Sequence, residues 1–324
     1  MRKITDLHRL YWTDRTENYM FDGCLRSVLA ALGEPQYNFD FFAALTGDFF
    51  TQMFDPARAV DSLTHDYFQP QMAEHAFSAC GYGCTVLQGD AIAAKSDQAL
   101  ARVRESVERG VPAIVRGLAG HDAFCLIGGY GDGETLFVNF WDDQTSADGY
   151  TPIETGLAGT TELILAGDKV GEPALGEVFH TILESIPKHL TRAPQGSCVF
   201  GRQAVMRWAE ALLDEQNFTG SDEEIEARRA ILHDAPLVQL VTNASGVRRF
   251  FARVNREHPE LGAVRMLAPI YADILSEAAA LLRAQDGFFA KPEKLRSRVL
   301  REDIAAHLSH LAALLDEVYA VFCE

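Results

Sequence analysis

Three residues far apart in the chain are of the types that a thiol nucleophile, its base and its orienter require: Cys24, His121 and Asn139. Cys24 opens the apolar run CLRSVLAALG, His121 precedes the run DAFCLIGGY, and Asn139 closes LFVN. The thiolate is the attacking species, an imidazole takes the thiol proton, and a third polar group fixes the imidazole tautomer. A helix starting at Cys24 would lower the thiol pKa through its N-terminal N–H groups and macrodipole, and its backbone would offer an oxyanion donor. Asn139 sits in an otherwise apolar run, so its side chain needs a hydrogen-bond partner, either His121 or backbone. Asp142 and Asp143 are rival orienters, or simply the residues of a turn after Trp141.

The elements around these residues must bring them together. Residues 24–33 and 38–45 have helical periodicity, with Gly33 stopping the first run. The segment TGDFFTQMFDP (46–56) reads as a strand or a lining loop. PQMAEHAFSACGYG reads as a helix and CTVLQ as a strand. SDQALARVRESVERG reads as an amphipathic helix with Ser96 at its N-cap and Gly110 closing it. Short apolar runs then follow (PAIVRG, DAFCLIGGY, TLFVNFW, TTELILAG), the pattern of an antiparallel sheet, with YGDGE (130–134) as a hairpin turn. That hairpin places His121 and Asn139 at one end of the sheet, where a helix carrying Cys24 would complete a site. From about residue 168 a linker, AGDKVGEPALGE, leads into helical periodicity over 175–187, 201–214, 221–233, 236–257, 263–284 and 302–322. The expected class is α+β: an antiparallel-sheet domain over 1–168 and an all-α domain over 175–324.

Composition narrows the partners. The chain has 324 residues, 48% hydrophobic and 23% charged, which is globular composition. No apolar run approaches the roughly 20 residues that span a bilayer. MRKITDLHRLYWTD has no apolar stretch of the signal-peptide kind, so a cytoplasmic protein is expected. A formal charge of −17 makes nucleic acid and anionic membranes poor partners. Six cysteines without a secretory signal imply free thiols, and Cys80-x3-Cys84 lacks the second ligand pair of a zinc site. No cofactor is expected. Basic clusters at Arg248, Arg249, Arg253 and Arg256, and again over 291–301, are solvated faces or docking points for an acidic partner.

Asn18, six residues before Cys24, together with His121 and Asn139-Phe140-Trp141, resembles the papain-like cysteine enzymes, particularly the branch similar to bacterial double-glycine peptidases. Over nearly the whole chain, CLRSVLAALG and HDAFCLIGGY followed by FGRQAVMRWAEAL and YADILSEAAALL resemble the butirosin biosynthesis protein H family. The resemblance implies a papain-like domain followed by a helical one. It also implies acyl transfer, without metal, from an acyl carrier protein to an amine acceptor. Cys24 would take the acyl group, His121 would shuttle the proton, and Asn139 would orient His121. Asn18 stands where papain-like enzymes place an oxyanion-hole glutamine. Phe49 and Phe50 would line an acyl pocket or belong, like most aromatic-rich stretches, to the core; Trp141 would contact substrate and shield the Asn139–His121 bond, and Arg248 and Arg249 would dock the carrier. Two alternatives stay open: a cysteine peptidase or amide hydrolase using the same residues, and a non-catalytic papain-like module that binds a carrier or peptide.

Overall fold

A computed structural model of the chain describes residues 1–10, 17–140, 146, 148–285 and 287–323. The fold is mixed helix and sheet, and the chain divides into two units. One comprises Met1–Thr46 with Tyr67–Ala174, the other Gly47–Asp66 with Leu175–Glu324.

The first unit is built on seven strands: β1 (Arg2–Lys3), β2 (Tyr82–Gln88), β3 (Ala113–Arg116), β4 (Cys125–Tyr130), β5 (Leu136–Asn139), β6 (Thr151–Ile153) and β7 (Glu162–Lys169). Their order is β2-β7-β3-β4-β5-β6, every pair antiparallel, with β1 joining the Gly129–Tyr130 end of β4. The expected hairpin is present. Gly131 N–H donates to Thr135 C=O at 2.8 Å, and the returning strand sets Leu126 opposite Asn139.

Side-chain alternation gives the sheet two apolar faces. Val115, Cys125, Ile127, Val138 and Leu163 cluster with Ala99, Leu100 and Val103 of the helix over Ser96–Glu108. On the other face Phe124 meets Phe21 and Phe68 at ring-centroid distances of 4.9 and 5.0 Å. Phe21 belongs to the helix α1 (Met20–Ala31), whose buried residues run from Phe21 to Leu29. Each such large apolar side chain taken from water contributes roughly 1.5–3 kcal/mol. Gly33 ends α1 at φ +85°, and Glu34 N–H returns to Leu29 C=O at 2.9 Å, a closure that the sequence already marks. Ser96 differs from expectation: it is the first helical residue, preceded by Lys95 with no side-chain cap.

The second unit is mainly helical: Leu175–Leu190, Gly201–Leu213, Asp222–Arg229, Ala235–Glu257, Ala263–Ala284 and Arg298–Ala320. It is neither all-α nor confined to 175–324. Met53–Phe54 pairs antiparallel with Val199–Phe200, so residues 47–66 leave the expected 1–168 domain. Polar side chains explain this allegiance. Gln52 Nε2 donates to Pro236 C=O at 3.1 Å, Met53 N–H donates to Gln239 Oε1 at 3.0 Å, and Gln239 Nε2 donates to Val60 C=O at 2.6 Å. Phe49 packs over Gly246, where a Cβ would collide with its ring. Ser221 and Glu224 form the capping box at Asp222, as the acidic first turn there implies.

Among the described residues no helix is long and apolar enough to cross a membrane. Nor do any three His, Cys, Asp or Glu side chains there form a group able to hold a metal ion.

Candidate functional site

Cys24 is the fifth residue of α1, not its first. The helix begins at Met20 after an extended Tyr19 that provides no side-chain cap. At this depth the Cys24 N–H belongs to the intrahelical ladder, paired with the carbonyl four residues back, so it is no oxyanion donor. The macrodipole fades within the first turn, and the side chain is 0% exposed. Burial pushes the thiol pKa well above its ordinary value. The neighbouring Cys125 and Asp22 add to the rise, and the Arg26 guanidinium opposes it. The expectation of a thiol activated by the helix start is thereby reversed.

His121 and Asn139 do share one end of the β4–β5 hairpin. His121 follows a tight turn over Leu118–Gly120 in which Ala119 adopts φ +52°, a conformation costing roughly 1 kcal/mol for a residue with a Cβ. Its exposed ring lies on Phe140, centroids 4.2 Å apart and tilted by 31°. Among the described residues no hydrogen bond joins that ring to Cys24 or to Asn139.

The Asn139 side chain is occupied elsewhere. It is 1% exposed; Oδ1 accepts the Leu10 N–H at 2.9 Å, and Nδ2 donates to Gly149 C=O at 2.8 Å. The partner is backbone rather than imidazole. Asn18 is half-buried two residues before α1. Trp141, Asp142 and Asp143 lie outside the described residues.

What Asn139 holds is the amino-terminal segment. Tyr150 O–H donates to Ile4 C=O at 2.8 Å, Arg26 Nη2 donates to Arg9 C=O at 2.9 Å, and Ser27 O–H donates to His8 C=O. Leu10, 5% exposed, packs on Gly23. Arg26 also pairs with Glu17 at 2.6 Å while only 3% exposed. Its importance is missed when Cys24 alone is read from the sequence, although an arginine inside the apolar run CLRSVLAAL signals a buried charge in need of partners.

Of the two places open to Phe49 and Phe50, an acyl pocket or the core, they take the core of the helical unit, 1% and 2% exposed. Phe50 lies 6.3–6.4 Å from the rings of Phe250, Phe251 and Tyr271. The space beside them measures about 30 Å³, enough for a water and too small for an acyl chain. Arg248 is exposed on Ala235–Glu257, and Arg249 beside it is half-buried.

Comparison with protein-family models finds none that matches the chain, and comparison with curated proteins finds no relative.

Proposed function

We propose that this protein is a non-catalytic papain-like module that binds an acyl carrier protein without taking its acyl group onto Cys24. The observation that carries this reading is the placement of Cys24: four residues past the helix start, sealed from solvent, its thiol pKa pushed up by burial, and, among the described residues, with no hydrogen bond to His121. A helix packed on an antiparallel sheet, with His121 and Asn139 at one end of a hairpin, supports the papain-like architecture. The carrier follows from the family resemblance, with exposed Arg248 as a docking cation on an otherwise acidic chain.

Site-resolved alkylation at pH 7.5 tests it. Exposed Cys323 should label rapidly, whereas Cys24 should label only after denaturation. Incubation with acyl-loaded carrier protein should give a salt-sensitive complex and no adduct on Cys24. An acyl adduct on Cys24 would overturn the proposal. Amine-dependent release of that adduct would then favour transfer, and spontaneous release would favour hydrolysis.

A further inference from the structure

Helices α2 (Ala235–Glu257) and α3 (Ala263–Ala284) are joined by residues 258–262 and pack on each other, so they run antiparallel. Between them lies an open groove of about 370 Å³, within the size range of small-molecule sites. Its apolar lining combines the buried Phe251 and Val264 with the small, exposed Ala252, Ala268 and Pro269, and its ends differ chemically.

At one end Arg248 is exposed and makes no hydrogen bond or ion pair among the described residues. On an acidic protein an unpaired guanidinium at an apolar groove is a receptor for an anion. The other end, two helical turns or about 10 Å along α2, carries Asn255 and Arg265. The Arg265 guanidinium already donates to Pro259 C=O at 3.1 Å. Pro269 has no N–H, so the Arg265 carbonyl four residues earlier lacks its helical donor. That end therefore offers both donors and acceptors, the complement of an amide rather than of a second anion.

The geometry points to a small-molecule site on the helical unit for an elongated carboxylate whose apolar middle lies over Ala252, Ala268 and Pro269 and whose far end is an amide. The carboxylate pairs with Arg248. The amide N–H donates to the Arg265 carbonyl, and the amide oxygen accepts from Asn255 or Arg265. This inference shares Arg248 with the proposed carrier contact but is argued from the groove, and its outcome is independent of whether Cys24 is acylated.

Titration calorimetry of the full chain with N-acetyl-6-aminohexanoate is the test, with hexanoate, which lacks the amide, and N-acetylhexylamine, which lacks the carboxylate, as comparison arms. The complete probe should bind saturably, and each truncated one about tenfold more weakly, the scale of one charge-assisted or amide hydrogen bond. Arg248→Glu, on an exposed residue, should abolish preference for the carboxylate. Ala268→Phe should block all three compounds by filling the floor. Pro269→Ala restores the helical N–H and should selectively remove the advantage of the amide. No saturable binding, or binding indifferent to Arg248→Glu and Ala268→Phe, would overturn the assignment.

Discussion

Asn139 is tied to Leu10: the Leu10 N–H donates to the Asn139 carboxamide oxygen at 2.9 Å across 129 residues of chain. With Gly149 on its other side, this buried amide joins the amino-terminal segment to the last residue of β5. Asn139→Leu leaves a buried N–H and a buried C=O without partners and should cost about 2–4 kcal/mol. Urea denaturation reads the loss, and amide exchange at Leu10 should accelerate in step. A change under about 0.5 kcal/mol would show that the bond is replaceable by water.

Cys24 as a buried apolar group gives an order of stabilities that a nucleophile does not require. Cys24→Ala should cost about 1–2 kcal/mol through a small cavity, and Cys24→Ser more, because it buries a hydroxyl in place of a weakly polar thiol. Denaturant midpoints decide the order. A serine variant as stable as wild type would mean that the site already accommodates a polar group.

His189 supplies a pH dependence. Burial first, then Lys188 and Arg192, push its pKa down to about 4. The unfolded chain, with an ordinary imidazole, binds the proton more readily between that value and about 6.5, so stability is complete above about 6.5 and is lost as pH falls toward 4. From pH 7.5 to pH 5.0 the loss should be about 2 kcal/mol, and His189→Gln should flatten that part of the profile. An unchanged slope in the variant would assign the loss to other groups.

Gly246 and Phe49 test the packing of the 47–66 segment. Gly246→Ala places a methyl group inside the Phe49 ring and should destabilise by about 1–3 kcal/mol. Combining it with Phe49→Leu should recover part of the loss, because the two substitutions act on one contact. Strict additivity in the double-mutant cycle would refute the contact.

Much of the architecture is legible in the sequence because it is local. The helix over 263–284 is bounded where its periodicity begins and ends, and the Gly-rich turn after Tyr130 makes its hairpin. The start of α1 is hidden because Tyr19 is no capping residue and Asp22-Gly23 interrupts the apolar pattern after Met20 and Phe21, so the run appears to begin at Cys24. Long-range choices are hidden too. That Asn139 needs a partner follows from its apolar neighbours, whereas the choice of Leu10 over His121 depends on where the first ten residues run. Gln239, 179 residues from Val60, draws the 47–66 segment away from its sequence neighbours.

Because residues 47–66 belong with 175–324, the polypeptide passes from one unit to the other three times, and neither unit is a continuous stretch of chain. A fragment beginning at Leu175 would lack the strand that pairs with Val199–Phe200 and the backbone that Gln239 clasps, so it would be an incomplete fold rather than a freed domain. Dissecting the protein therefore calls for a circularly permuted chain, or for residues 47–66 supplied separately. A single cut near Ala174 would leave the carboxy-terminal piece joined noncovalently to residues 47–66, the part of its own unit carried by the other piece.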